Sequence, residues 1–362
     1  MKKYTLLMLL CSLVCLVGCD DEDVNTKDYT LGRWYKRANY GGYARSQACS
    51  FTIGNKGYMC SGFRGESYNY LNDLWEYDMD ADSWTQLASL PDLADGTSGG
   101  RYGSAAFALD DKGYVAIGYA KNDSDFYYRT DTWQYDPSVN TWTQQDDFIG
   151  DIRTGATAFS IDQYGYLAFG LADTGYSDKV YRFNPNAGAG SQWTEAEGFP
   201  GNPRSGSAVF VIDNQAYVCG GSNQSGLVLD FYKYDGHEWT YLHSSGNFVY
   251  TAFYDDYAAP VRYGAVGFAI NGYGYLATGY NRGALNDYWK YDPQTDTWYG
   301  GTDEYTTLSD VYNSVSGYSC YNAISFSNGE RGFLLTGVIS GNSYSDDIYE
   351  LLPDEQTSHN EE

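Results

Sequence analysis

Basic residues are the first scarcity. The chain has 22 Lys and Arg against 47 Asp and Glu, a formal net charge of −25. A nucleic-acid binder takes most of its affinity from phosphate neutralisation, and anionic lipid headgroups ask for the same positive sign, so both partners are excluded. Histidine is scarcer still: only His237, His243 and His359 occur. The first two fall in one repeat and the third in the tail, which leaves no paired-histidine copper centre and no oriented histidine for a Ser-His-Asp hydrolase. Cysteine is thin and shows no metal-ligand spacing, so no metal and no cofactor is expected. No stretch has the length and period of an amphipathic helix, and no apolar run is comfortably long enough to span a membrane.

Aromatic residues and glycine fill the space. There are 39 Tyr, 16 Phe, 9 Trp and 42 Gly. Aromatics favour strands and glycine supplies turns, so the reading is all-β with short strands. The aromatics are ordered. Arg262 is followed by Phe268, Tyr275 and Gly279, and the same frame runs Arg45, Phe51, Tyr58, Gly62. It recurs from Arg101 (Phe107, Tyr114, Gly118), from Arg153 (Phe159, Tyr166, Gly170) and from Arg204 (Phe210, Tyr217, Gly221). A sixth copy replaces the arginine by Cys320 and continues Phe326, Phe333, Gly337. Each copy holds four short strand patterns with turn signals such as Asn271-Gly272 between the first two. Repeats of about fifty residues with four strands each are the length of a propeller blade. Small residues beside the phenylalanine, such as Ala105 and Ala106, suit an innermost strand where blades converge. The Phe and Tyr are expected between blades, and the fourth-strand tryptophans Trp84, Trp142, Trp193, Trp239 and Trp298 over the outer edge.

The units resemble the kelch repeat. That motif has a glycine pair closing the second strand, then an aromatic, then a tryptophan. Gly220-Gly221 shows the full pair; elsewhere only the second glycine survives. Tyr77 with Trp84, Tyr135 with Trp142, Phe183 with Trp193, Tyr234 with Trp239 and Tyr291 with Trp298 supply the aromatic and its tryptophan. The resemblance covers nearly all of residues 30–353 and implies a six-bladed all-β propeller. The last copy lacks its fourth strand, while residues 31–36 form an orphan strand holding Trp34. Moving that orphan into the gap closes the ring and seals a sheet edge; the alternative is a five-bladed ring with decoration.

The ends read differently. Residues 1–18 have a basic start and a short apolar run, as in a secretory signal. The run ends at Cys19 and resembles a bacterial lipobox, which implies lipidation of Cys19. Residues 19–29 form an acidic tether whose Asp20-Asp21-Glu22-Asp23 resembles the surface-export tag of Bacteroidetes lipoproteins. Together these imply a lipid-anchored protein of the cell envelope, at the outer membrane and exposed at the surface, touching the membrane through its anchor only. Residues 354–362 are an acidic tail expected to be disordered. Four cysteines remain: Cys49, Cys60, Cys219 and Cys320. A turn at Gly54-Asn55 would set Cys49 opposite Cys60, either as two free buried thiols or as a disulfide.

One face of the propeller should carry the long, dissimilar loops after each second strand and before each first strand. Loop variation on a rigid scaffold is where binding resides. That face receives Arg45, Arg101, Arg153, Arg204 and Arg262. They form either a cationic ring for a carboxylate, sulfate or acidic peptide, or a set of structural pairs with nearby Asp. Loop tyrosines, including Tyr70, Tyr128, Tyr176, Tyr257 and Tyr344, offer flat apolar area with a polar edge. The leading expectation is a monomeric, non-catalytic binding module for a glycan or an envelope partner protein. The alternative is a sugar epimerase or mutarotase resembling the kelch N-acetylneuraminate epimerases, which use channel-facing arginine and acidic groups.

Overall fold

The computed structural model describes residues 32–65, 69–94, 96–121, 126–242, 248–250, 261–300, 318–339 and 343–354. Cys19, Tyr257, the signal, the tether and the tail past residue 354 lie outside them. The described residues form six large sheets, antiparallel but for one added strand, and several two- or three-stranded ones.

Blade 1 runs Cys49–Ile53, Lys56–Cys60, Leu74–Asp78 and Ser83–Leu87. Blade 2 runs Ala105–Leu109, Lys112–Lys121, Phe126–Asp136 and Thr141–Gln144. Blade 3 holds Thr157–Ile161, Tyr164–Ala168, Val180–Phe183 and Trp193–Glu195, and blade 4 holds Ala208–Ile212, Gln215–Cys219, Phe231–Tyr234 and Trp239–Tyr241. Blade 5 has Val266–Ile270, Tyr273–Ala277, Tyr288–Asp292 and Thr297–Gly300, plus a fifth strand, Phe248–Tyr250, running parallel to the fourth. Nothing in the repeat announces that extra strand. Blade 6 takes Ile324–Ser327, Gly332–Leu335 and Ile348–Leu352 from the end of the chain and Arg33–Lys36 from its start.

The ring is closed. Each blade's first strand contacts the first strand of the next, and that of blade 6 contacts that of blade 1. Six hydrophobic clusters fill the ring, each shared by two neighbouring blades. Glycine on the second strand makes this packing possible. A Cβ at Gly165 would lie 2.1 Å from the Phe107 ring, and one at Gly57 would lie 2.5 Å from Phe326, across the closure. The phenylalanine of one blade thus lies on the glycine of the next, and its own tyrosine stacks beside it: Phe107 and Tyr114 are 5.4 Å apart at 15°.

The terminal strand enters as the repeat asks. Arg33 to Lys36 pair antiparallel with Leu352 to Tyr349. Trp34 is 3% exposed and meets Phe268 and Tyr288 of blade 5 edge-on at 6.0 and 5.7 Å. It is the missing fourth-strand tryptophan. Lys36 bonds Asp347 at 2.5 Å and Arg37 bonds Glu350 at 2.6 Å, which pins the strand at its end.

The tryptophans correct one expectation. They do not cap an outer edge. Each lies against its own blade's Tyr or Phe, 4.5 Å for Trp239 on Tyr234, and Trp84, Trp193 and Trp298 reach the phenylalanine of the preceding blade. The cause is the alternation of the fourth strand, which turns these side chains sideways into the inter-blade core. Trp142 reaches the preceding blade through its indole N–H, which donates to the Ala88 carbonyl at 2.8 Å. Cys49 and Cys60 face one another in register, and all four described cysteines are free and buried.

Candidate binding site on the loop face

The five arginines are not an open ring, and for the four that are paired with aspartate the expectation of ligand-binding cations is corrected here. Arg45, Arg101, Arg153 and Arg204 are 0% exposed and Arg262 is 4% exposed. Arg45 bonds Asp73 through both nitrogens at 2.6 and 2.7 Å, Arg101 bonds Asp131 at 2.9 and 2.7 Å, and Arg262 bonds Asp287 at 2.8 and 2.7 Å. Arg204 Nη2 bonds Asp230 at 2.6 Å. Planar, fork-shaped guanidinium on planar carboxylate is the geometry a buried pair needs to offset its desolvation.

Each arginine also donates Nη1–H to the carbonyl of the residue before its repeat's fourth-marker glycine: Ser61, Ile117, Phe169, Gly220 and Thr278. These residues explain the lost glycines. Ser61, Ile117, Phe169 and Thr278 all sit at left-handed φ between 55° and 65°, where blade 4 has Gly220 at 67°. The backbone demand persists where the glycine does not, and the arginine holds the carbonyl in place. In blade 6, Thr336 has φ 63° and the Tyr318 hydroxyl donates to its carbonyl, so a phenol replaces the guanidinium that Cys320 cannot supply.

At the channel mouth Gln47, Gly103, Gly155, Gly206, Gly264 and Asn322 also take positive φ. Backbone N–H groups donate from blade to blade there, Gly264 to Gly206 and Asn322 to Gly264, both at 2.8 Å. The channel beyond is a cavity of about 160 Å³ lined by residues 48–50, 104–106, 156–158, 207–209, 265–267 and 323–325. Among these small, mostly apolar residues only Cys49 can ionise.

What the loop face does present is aromatic. Tyr102, Tyr263 and Tyr321 each precede a mouth residue, and Phe63, Tyr119 and Tyr280 each follow their repeat's fourth-marker glycine. The isolated pairs Tyr102–Tyr119 and Tyr263–Tyr280 set these two positions side by side. Tyr280 lies 5.2 Å from Tyr321, Tyr344 lies 6.0 Å from Phe63, and Phe63 lies 5.4 Å from Tyr70. Tyr70 stacks on Tyr102 at 5.6 Å and 13°, Tyr102 meets Tyr119 at 5.1 Å, and Tyr119 meets Tyr128 at 5.1 Å. All nine rings are half-buried, and they form an arc over blades 5, 6, 1 and 2. Blades 3 and 4 carry Thr154, Leu171, Ser205 and Ser222 at the matching positions.

The arc is electrically neutral in an acidic protein. Burial, with the neighbouring Tyr119, Tyr70 and Tyr128, pushes the Tyr102 phenol up to about 12. Tyr128 is also pushed up to about 12, mainly by donating its hydroxyl to Asp173 at 2.8 Å. Burial raises Tyr263 and Tyr344 as well. Of the loop tyrosines singled out in the sequence, Tyr70, Tyr128 and Tyr344 belong to the arc. Phe63, Tyr102, Tyr119, Tyr263, Tyr280 and Tyr321 were not singled out, although their signal was present: an aromatic next to the repeat's first or fourth marker. The string Gly96-Thr97-Ser98-Gly99-Gly100 has nucleophile-elbow spacing, but no helix follows it, and the Ser98 carbonyl accepts a bond from Arg129.

A family profile described as Kelch motif matches residues 44–91. Kelch-like protein 23 of Pongo abelii is 25% identical over 293 residues, 76% of this chain and 45% of that protein. The Homo sapiens protein gives the same identity and shares, and the Mus musculus protein is 24% identical over 226 residues, 60% of this chain and 36% of its own. The chain therefore spans less than half the length of these relatives. Among solved structures, YjhT aligns with a TM-score of 0.66 at 14% identity, covering 89% of this chain and 99% of its own. At that identity the likeness is one of fold.

Proposed function

We propose that this kelch-repeat β-propeller is a non-catalytic binding module that takes a glycan on its loop face, held at the cell envelope by a lipid on Cys19. The arc of nine half-buried rings carries the reading. Flat, neutral phenols with hydroxyl edges suit the apolar faces of sugar rings, and a row of them suits a chain of such rings. The acidic surface around them adds no attraction for an anionic polymer.

The test is a glycan array run beside co-purification from the cell envelope, with Tyr102→Ala and Tyr280→Ala as variants. Sugar binding that falls about tenfold or more in both, with melting unchanged, supports the module. Array silence with specific capture of one envelope protein would move the site to a protein partner. The epimerase alternative needs an acid–base pair touching the sugar. Among the described residues the channel lining and the closed arginine pairs offer none. Proton exchange at the carbon next to the anomeric centre, followed by NMR, tests it directly.

A further inference from the structure

Blade 3 departs from its sisters in one place. The residue four before the third-strand aromatic is Asp73, Asp131, Asp230 or Asp287 in blades 1, 2, 4 and 5, and each holds its blade's arginine. In blade 3 that position is Lys179, whose ammonium turns outward to Glu195 at 2.5 Å. Arg153 is nonetheless as buried as its counterparts. It donates Nε–H to the Asp151 carbonyl at 2.7 Å, and Nη1–H to the Phe169 carbonyl at 3.0 Å and to Ser177 Oγ at 2.7 Å. Its Nη2 has no hydrogen-bond partner among the described residues, and no described carboxylate reaches ion-pair distance. The Tyr181 hydroxyl is near without bonding geometry, and the Phe148 and Tyr181 rings flank the guanidinium at 5.7 and 5.4 Å.

Ser177 completes the pattern. Its Oγ accepts from Arg153 and, at 3.1 Å, from the Lys179 backbone N–H. Both lone pairs are used, so its own O–H must point to a third group. Ser177 is partly exposed, and Ile152, next to Arg153 in the chain, is 39% exposed. Two donors, one of them on a buried cation, are therefore left without an acceptor among the described residues at the one arginine that lacks its sisters' aspartate.

We propose that Arg153 and Ser177 form a receptor for a carboxylate that the chain does not supply. The anion would accept from Arg153 Nη2–H with one oxygen and from Ser177 O–H with the other. The four filled sister sites show which chemistry this framework holds: a planar, two-oxygen monoanion. The aromatic walls disfavour a heavily hydrated dianion such as sulfate. Burial depresses the Arg153 pKa, as expected for a cation short of a counter-charge. The inference rests on blade 3 alone and is independent of what the aromatic arc binds.

The test is thermal melting of the full chain at neutral pH, titrated with sodium acetate against sodium chloride at equal ionic strength. Acetate should raise the wild-type Tm saturably by about 3 °C, because binding to the native state adds to stability. Lys179→Asp, which installs the sisters' carboxylate, should abolish the acetate response, and Ser177→Ala should weaken it about tenfold in midpoint. Glucuronate and a short peptide with a free or amidated C-terminus separate the sources: a sugar acid, a chain terminus or a free small acid. If Lys179→Asp does not fold, saturation-transfer NMR of acetate on wild type and Ser177→Ala replaces it. Equal shifts with chloride and acetate, or an acetate response retained in both variants, would overturn the receptor.

Discussion

Replacing Arg262 by methionine should cost about 3–5 kcal/mol at neutral pH, the loss expected when one partner of a buried ion pair is removed. The arginine side chain is 5% exposed and that of Asp287 is 23% exposed, so the lower end of that range is the better estimate. Two bonds to the carboxylate, at 2.8 and 2.7 Å, are lost together with one of 2.9 Å to the Thr278 carbonyl. Asp287 keeps the Trp289 indole N–H at 2.8 Å but no counter-charge. The deficit should also depend on pH. In the native protein burial pushes the Asp287 pKa up, but the Arg262 charge and bonds, with Trp289, outweigh it and hold the carboxyl below 3.8. A folded value below the unfolded one stabilises above the unfolded value and is lost as pH falls through the folded one. In the variant burial acts almost alone, the folded value rises, and the charged carboxylate penalises folding until acid protonates it. The difference between the two proteins should therefore shrink from pH 7 to about pH 4. Urea unfolding at both pH values, with thermal melts beside it, reads this; for a chain of this size about 2 °C accompanies each kcal/mol. Adding Asp287→Leu to the variant should recover most of the loss. A deficit below about 1 kcal/mol, equal at both pH values, would put the pair in the class of solvent-exposed ion pairs. The account of the arginines as buried struts would then fail.

Other perturbations test other parts of the ring. Thr336→Gly should raise stability by up to about 1 kcal/mol, since a β-branched residue at φ 63° costs about 1–2 kcal/mol and its Oγ1 has no partner, against a small loss of buried carbon; a lower melting temperature would contradict this. Gly165→Ala should cost about 1–3 kcal/mol, because the new methyl meets the Phe107 ring at 2.1 Å; unchanged urea unfolding would mean that this blade interface is loosely packed. Trp34→Ala should cost about 3–5 kcal/mol and promote association through the freed edge, as read by melting and by light scattering; a monomer with native melting would remove the terminal strand from the closure.

The sequence by itself determined the ring. A period in the covalent chain cannot be lost on folding, and each marker plays one physical part. The Phe covers the next blade's second strand, the Tyr stacks on the Phe, and the tryptophan packs behind. The deficit of one fourth strand at the end and the orphan around Trp34 at the start matched because a sheet edge must be covered. The direction of the arginines was decided only in three dimensions. A strand-opening arginine reads equally well as a ligand contact or as a buried strut. What chose between them was a carbonyl turned inward by a left-handed residue such as Ile117, and L-residues in that conformation leave no mark in a single sequence once the glycine is gone. The aromatic arc was half legible for the same kind of reason. Tyrosine beside a repeat marker can be seen in the chain, but Tyr344 and Phe63 lie far apart along it and become neighbours only when the last blade meets the first.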